Sequence, residues 1–344
     1  MESKAQMKEY SFKLLDASIN AKMRIQHVLD SIRTWVLSDE LRELLEAFDY
    51  TENLGTNIST SDFSNHLRRI TAFADANWNL RNGRERWAVD SNQKIKECSA
   101  QITAVAEALQ MHLEAIYADS NIKGADYMIP LGGARLANFT RAERAKDLLQ
   151  IAPNAAFCAL SAQRPLAELE KPFIEKYAKA SIPAVHTEYD AMNEAIEVLF
   201  KTERYQEQNC KGIGESDIEK QNSAWSFRKY NAAVQLFSLS APSSQPKARR
   251  ANTLDTIAHF ANVFHIAPST KLALITTSLY VPFQTLMLAP LAIENKWNIS
   301  IFGAIHSSLD GEEAKPLSQM NALYLQEIKA TIDACSLFYQ KYEA

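Results

Sequence analysis

The chain contains the stretch Tyr127-Met-Ile-Pro-Leu-Gly-Gly-Ala-Arg-Leu-Ala-Asn-Phe-Thr-Arg-Ala-Glu-Arg-Ala145, and this stretch decides the predicted fold. Its apolar start, residues 127–131, predicts a short buried strand, and Gly132-Gly133 permits a tight turn with close backbone approach. Thr140 and Glu143 have the spacing of a capping box, which predicts the start of a helix. A strand, a glycine turn and a helix in succession are the layout of a ligand cradle in an open α/β sheet.

Basic side chains surround this predicted turn. Free backbone N–H groups at a helix start attract anions, and Arg135, Arg141 and Arg144 would add positive charge around the same turn. An anionic small molecule is therefore the expected partner of this region. The alternative is that a helix bearing Arg and Glu at this spacing presents an ordinary solvated face.

Short apolar runs alternate with helical segments from Gly124 onwards. This alternation predicts an α/β fold, with a mostly parallel open sheet that is flanked by helices and connected by right-handed crossovers. The predicted strands cover residues 127–131, 155–161, 182–186, 233–240, 272–278 and 299–305.

The first part of the chain has a different pattern. Residues 1–120 contain few prolines or glycines, and Leu15, Ile19 and Met23 belong to a set of apolar residues at helical spacing. We therefore predict that a helical domain over residues 1–120 precedes a Rossmann-like α/β domain over residues 121–344. The segment from about 202 to 229 is rich in Glu, Gln, Lys and Asn, and it is predicted to be a polar insertion in the second domain.

The composition limits the class of protein and its compartment. The 37 Lys and Arg against 41 Asp and Glu give a net charge of -4, which argues against a dedicated nucleic-acid surface. No secretory signal pattern and no long uncharged apolar run occurs, so a cytoplasmic protein without a membrane partner is expected. The cysteines lack CxxC pairing and metal-ligand spacing, as is typical of reduced thiols, and they are Cys98, Cys158, Cys210 and Cys335.

Ligands of open parallel sheets bind outside the carboxyl ends of the strands, so the residues after the predicted strands are site candidates. Glu188 and Asp190 follow the third predicted strand and are candidates for a catalytic general base. The alternative for these two acids is an ordinary position at a helix start, where carboxylates are common. The ligand-binding candidates after the other strands are Gly132, Gly133, Arg135, Arg144, Ser161, Thr276, Thr277, Tyr280 and Gln284.

A second basic corner occurs in the stretch Arg249-Arg-Ala-Asn-Thr-Leu-Asp-Thr256. Asn252 is placed to cap a helix there, with Asp255 three residues later. The two arginines would offer two-bond contacts to a phosphate or a carboxylate. The alternative is a helix cap without a ligand. The ligand-binding candidates in this corner are Arg249, Arg250, Asn252, Thr253 and Asp255.

Signatures of other chemistry are absent from the sequence. It contains no Walker loop, no Gly-x-Gly-x-x-Gly fingerprint and no Gly-x-Ser-x-Gly elbow. The histidines lack partners at metal-ligand spacing, so no metal site is predicted. The sequence assigns no cofactor and no oligomeric state.

The strand-end motifs, taken in order, resemble the α/β family that includes the bacterial proteins YdcF, SanA and ElyC. The resemblance implies a nucleotide-like or otherwise anionic small ligand, with S-adenosylmethionine implied for one branch. Where that family places His and Arg after the fifth strand, this chain has the stretch 280–284, Tyr-Val-Pro-Phe-Gln. The matching residues are Leu131-Gly-Gly133, Arg144-Ala145 with Leu148, Ser161, Asn252-Thr253 with Asp255, and Thr276-Thr277.

These observations lead to three hypotheses about function. The first is an enzyme that acts on a nucleotide-like or phosphorylated small molecule, held by arginines, with Glu188 or Asp190 in the acid-base role. The second is a non-catalytic sensor or binding protein for such a ligand. The third is an interaction protein that uses the Arg- and Trp-rich segment 81–87.

Overall fold

The computed structural model describes residues 8–52, 59–81, 89, 91–111, 122–134, 136–177, 185–209, 217–305 and 317–343. The chain divides into two compact units. The helical unit comprises Met1–Leu113, Ser278–Lys296 and Gly311–Ala344, and the α/β unit comprises Glu114–Thr277 and Trp297–Asp310. Within the described ranges, no helix has the length and apolar character needed to cross a membrane.

A seven-stranded sheet forms the centre of the α/β unit. Its strands are β1 (Tyr127–Pro130), β2 (Ala156–Ser161), β3 (Tyr205–Asn209), β4 (Ser226–Tyr230), β5 (Leu236–Ser240), β6 (Lys271–Thr277) and β7 (Asn298–Ala304). They lie in the order β3-β4-β5-β2-β1-β6-β7. Five neighbouring strands are parallel, namely β5, β2, β1, β6 and β7. Strands β4 and β3 are antiparallel additions at one edge. The predicted α/β fold with a mostly parallel sheet and a helical N-terminal region is confirmed.

Five of the predicted strands coincide with β1, β2, β5, β6 and β7 to within a few residues. Each is an apolar run whose residues are nearly all buried, which is why the pattern alone located them. The predicted strand at 182–186 falls largely outside the described residues. Val185 and His186, which are described, do not belong to a strand.

The segment 202–229 differs from its predicted role as a polar insertion. It contains β3 and most of β4, which form an antiparallel pair that extends the sheet. These two strands were not among the predicted ones, because all five residues of β3 are exposed and the strand carries no apolar run.

Helices cover both faces of the sheet. The helices of the α/β unit are α6 (Ala137–Leu148), α7 (Lys171–Tyr177), α8 (Glu188–Phe200), α9 (Ile218–Asn222) and α10 (Thr253–Phe264). Small apolar residues of α6 and α8 pack in one core with Met128, Phe157 and Ala273. On the opposite face, Tyr127 meets the rings of Phe260 and Phe264 of α10 at centroid distances of 5.2 and 5.7 Å.

The helical unit is built from separate parts of the chain. Its helices are α1 (Ala21–Val36), α2 (Asp39–Ala47), α3 (Thr60–Trp78), α4 (Gln93–Glu97), α5 (Ser99–Ala108), α11 (Val281–Glu294) and α12 (Leu317–Glu343). Leu286 of α11 and Leu325 of α12 share one buried core with Ile32 and Ile70 from the N-terminal helices. The sequence-based division at residue 120 places α11 and α12 in the α/β domain instead. The difference arises because a crossover helix and a terminal helix carry no local signal of which core they join.

His66 of α3 makes the stability of the helical unit depend on pH. The side chain is 5% exposed, and burial, followed by the charge of Arg69, lowers its pKa from 6.5 to about 4. Because the unfolded chain takes up this proton below pH 6.5 and the folded chain does not, stability is lost as the pH falls from 6.5 towards 4.

We therefore expect that acidification from pH 7.5 to pH 4.5 costs the wild type roughly 2 kcal/mol more unfolding free energy than it costs a His66→Leu variant. Urea unfolding at both pH values measures this difference. An equal loss in the two proteins would contradict the assignment to His66.

Candidate functional site

The order of the strands reverses between β1 and β6. From β1 the chain continues to β2 and then β5 on one side, and it later returns to β6 and β7 on the other side. In open parallel sheets, ligands bind outside the carboxyl ends of the strands at such a reversal. The candidate site therefore lies at the carboxyl ends of β1, β2 and β6, within the α/β unit.

Gly132 marks the closest approach of backbone segments at this edge. Leu131 pairs with Leu160 at the end of β2, so the chain enters the turn beside Ser161. A Cβ atom at Gly132 would lie 2.8 Å from the Ser161 Cα atom, and closer still to Glu188 Oε1. Only glycine fits here, because the approaching group is main chain that cannot move aside.

The N–H groups of the glycine turn already have partners. Gly132 N–H donates to Leu160 O at 2.5 Å, and Gly133 N–H donates to Asn138 Oδ1 at 3.0 Å. These two groups are therefore bound within the protein, in contrast to the expected free N–H groups at this turn.

Helix α6 begins before its predicted cap. Its first residue is Ala137, and Thr140 lies inside the helix, where its hydroxyl donates to Leu136 O at 3.4 Å and to Ala137 O at 3.3 Å. The predicted capping box at Thr140 and Glu143 is therefore wrong. A Thr-x-x-Glu pattern inside a helix has the same spacing as one at its start, so sequence alone did not separate the two.

Arg141 of α6 fastens the ends of β1 and β6 together. Its Nη1 atom donates to Leu131 O at 2.9 Å and to Gly132 O at 2.5 Å, and its Nη2 atom donates to Thr277 Oγ1 at 3.0 Å. The side chain is buried. The guanidinium group therefore fixes the conformation of the turn by binding its backbone carbonyl oxygens. It also holds the Thr277 side chain close to Gly132.

Several buried polar atoms at this edge have no hydrogen-bond partner among the described residues. Asn138 is fully buried, and its Nδ2 atom is unpaired beside the glycine turn. Ser161, which is 3% exposed and whose Cα and Cβ atoms lie against Gly132, has an unpaired Oγ atom. Unpaired buried groups cost free energy and are uncommon unless a ligand or water satisfies them. The other unpaired atoms of the predicted site in this unit are Arg144 Nε and Thr276 Oγ1.

Glu188 lies in a buried ion network. Its Oε2 atom accepts from Arg164 Nε at 3.0 Å, and its Oε1 atom accepts from Ala162 N–H at 3.2 Å. Arg164 also donates two hydrogen bonds to Glu170, at 2.6 and 2.8 Å. Burial alone would lower the pKa of Arg164, but the bonds to Glu170 and the charges of both carboxylates raise it.

The sequence placed Arg164 among the residues after the second predicted strand and Glu188 among those after the third, but it did not pair them, and it gave no indication of Glu170. Arg164 comes three residues after β2, so its position at a strand end was the available signal. Glu170 lies in a short 3-10 turn at Glu168–Glu170, which no pattern indicated.

Asp190 has a structural role at the start of α8. Its Oδ2 atom accepts from the N–H group of Thr187 at 2.9 Å, and Thr187 Oγ1 accepts from Asp190 N–H at 3.2 Å. This reciprocal pair is a capping box, which was the alternative interpretation of this acid.

The second basic corner is closed by an internal ion pair. Arg249 forms a salt bridge with Asp255, and its Nη2 atom also donates to Ser244 Oγ at 3.0 Å. Asp255 caps α10 together with Asn252. Burial would raise the pKa of Asp255, but the hydrogen bonds from Arg249 and Ser244 lower it. This geometry matches the capping alternative more closely than a ligand-facing arginine pair.

The remaining predicted residues are distributed as follows. Thr253 begins α10, and Arg250 is exposed. Tyr280 and Gln284 belong to the helical unit, at the start of α11, where Gln284 is buried. Arg135 lies outside the described residues. In the described part of the chain, no cluster of His, Cys, Asp or Glu is suited to hold a metal ion.

Comparisons with known proteins give a distant similarity over both units. Residues 20–110 match the family described as the Rv3785 N-terminal domain. The chain is 24% identical over 334 residues to uncharacterized protein Rv3785 of Mycobacterium tuberculosis, covering 92% of this chain and 91% of that protein. Uncharacterized protein Mb3814 of Mycobacterium bovis gives the same values. No solved structure matches significantly, and none of these findings links the chain to the YdcF, SanA and ElyC family.

Proposed function

We propose that the α/β unit binds a nucleotide-like or phosphorylated small molecule at the carboxyl ends of β1 and β2. The observation that carries this proposal is the pair of buried groups beside the glycine turn, Asn138 Nδ2 and Ser161 Oγ, that lack partners among the described residues. Both atoms can donate hydrogen bonds, so they suit the acceptor oxygens of a phosphoryl or carboxylate group.

The position of these donors supports the same conclusion. They lie next to the reversal of strand order, where open parallel sheets bind ligands. The resemblance to the YdcF, SanA and ElyC family would imply such a ligand too. We favour a binding protein over an enzyme, because Glu188 is held by Arg164 and Asp190 serves as a cap.

Asn138→Asp tests the site with little change of shape. Its Oδ1 atom still accepts from Gly133 N–H, while the donating amide is replaced by a negatively charged oxygen. We expect an anionic ligand to bind at least about tenfold more weakly, because a hydrogen bond to a charged group is worth roughly 1.5 to 3 kcal/mol. Calorimetric titration with ATP, inorganic phosphate and S-adenosylmethionine measures the effect.

Ser161→Ala should weaken the binding of the same ligand, and Ser223→Ala serves as its control. Ser223 is half-buried just after α9, and its hydroxyl donates to Glu219 O at 2.8 Å, so it takes no part in the glycine turn. If Asn138→Asp and Ser161→Ala both bound the ligand with wild-type affinity, the ligand site would not lie at this edge of the sheet.

An enzyme is the second candidate, favoured by the position of Glu188 Oε1 against Gly132 and Ser161. If this carboxylate acts as a general base, Glu188→Gln should lower the rate by roughly 100-fold with little change in affinity. Asp190→Asn is the matched control, and it should weaken the cap of α8 and leave the rate intact. Equal rates in the two variants and the wild type would exclude catalysis by Glu188.

A further inference from the structure

In the described part of the chain, β3 forms one edge of the sheet, and no further strand pairs with its outer side. In β3 every residue from Tyr205 to Asn209 is exposed on both faces of the sheet. In β7, at the opposite edge, five of the seven residues are buried and none is exposed. An exposed edge strand presents unpaired N–H and C=O groups, which are a template for another strand.

One hydrogen bond shows which backbone N–H and C=O groups of β3 point away from β4. Asn231 N–H donates to Arg204 O at 2.8 Å, so the backbone of Arg204 faces the side of β4. Because the direction of hydrogen bonding alternates along an antiparallel strand, Gln206 and Gln208 also face β4. The residues whose backbone groups face outwards are Tyr205, Glu207 and Asn209.

This edge lacks the features that keep edge strands apart. The strand contains no proline and no lysine, and its pairing with β4 continues without a bulge. Its single charge, Glu207, forms an ion pair with Arg228 of β4, with 3.0 Å between Glu207 Oε1 and Arg228 Nε, and Glu197 shares the same arginine at 3.5 Å. The same guanidinium group lies 4.1 Å from the centre of the Tyr205 ring, which holds the first residue of the strand in place.

We propose that β3 pairs antiparallel with β3 of a second copy of this chain, so that one sheet runs through a two-fold dimer. Antiparallel pairing about a two-fold axis is self-complementary, because each copy offers the same outward groups. The amides of Gln206 and Gln208 suit pairing with their own kind on one face. A peptide ligand would use side-chain pockets beside the strand, and exposure on both faces leaves none at β3.

Sedimentation velocity of the full chain over about 1 to 200 μM tests the proposal, since a single strand buries less than a standard interface and predicts weak association. Glu207→Pro removes an outward N–H group and leaves the ladder to β4 unbroken. Glu207→Gln is the matched control, because it removes the charge and keeps the N–H group. We expect the wild type and Glu207→Gln to dimerise, and Glu207→Pro to associate at least about tenfold more weakly.

Far-UV circular dichroism verifies that the proline variant is folded, and Asn209→Pro repeats the test at the end of the strand. A wild type that stays monomeric over the whole series overturns the proposal. So does a folded proline variant that dimerises as strongly as the wild type, because the interface would then lie elsewhere.

Discussion

An Arg164→Met variant is expected to lose about 3 to 5 kcal/mol of unfolding free energy, because it leaves two buried carboxylates without their cation. The side chains of Arg164 and Glu170 are 6% and 0% exposed, and Glu188 shares the same guanidinium group. Methionine fills a similar volume, so the loss reports the missing charge rather than a cavity. Urea unfolding at neutral pH measures it.

Arg42→Met is the matched control for this prediction. Arg42 forms a salt bridge with Asp39 at 2.7 Å, but both side chains are well exposed to solvent, so its removal should cost less than about 1 kcal/mol. Adding Glu170→Gln and Glu188→Gln to the Arg164 variant should restore much of the lost stability, since the unpaired charges are then gone. Similar losses for Arg164→Met and Arg42→Met would show that the buried network is not ionic.

The second large effect is expected for Gly132→Val. The added atoms would overlap the main chain of Ser161 and the carboxylate of Glu188, so the carboxyl ends of β1 and β2 must separate. Overpacking of this kind costs about 1 to 3 kcal/mol or more, and it should also abolish ligand binding at the turn. Thermal unfolding and calorimetric titration of the same sample measure the two consequences.

Gly133→Ala provides the comparison. A Cβ atom there would lie 2.8 Å from Arg141 Nη1 and 2.9 Å from the Ala137 Cβ atom, both of which belong to side chains. The Arg141 side chain can shift, whereas the Ala137 Cβ atom moves only with the start of α6. Because alanine adds one carbon atom where valine adds three, this variant should retain more stability than Gly132→Val. If it proved the less stable of the two, Gly132 would not be the point of closest approach.

The sequence was sufficient to predict the parallel part of the sheet. Runs such as 156–161 and 272–277 are buried on both faces, and burial requires the apolar composition by which they were recognised. The antiparallel strands escaped prediction because β3 is exposed throughout, and an exposed strand has no characteristic composition. The glycine turn was located because its residue types are restricted by geometry.

Partners that lie far apart in sequence could not be predicted. Glu188 was found as an acid after a predicted strand, but its ion pair with Arg164 spans 24 residues and forms only in the folded protein. Arg141 reaches Thr277 across 136 residues. The local sequence pattern indicates that a side chain lies near the edge of the sheet. Contacts with residues far away in sequence decide whether that side chain faces a ligand or another residue.

The division of the helical unit among three chain segments has a consequence for synthesis on the ribosome. The first five helices share their core with Leu325 and Phe338 of α12, which are translated long after them. The N-terminal helices therefore emerge early and stay incompletely buried until α12 has been translated. During that interval their apolar faces are open to chaperones, and a fragment ending near residue 110 would leave them open permanently.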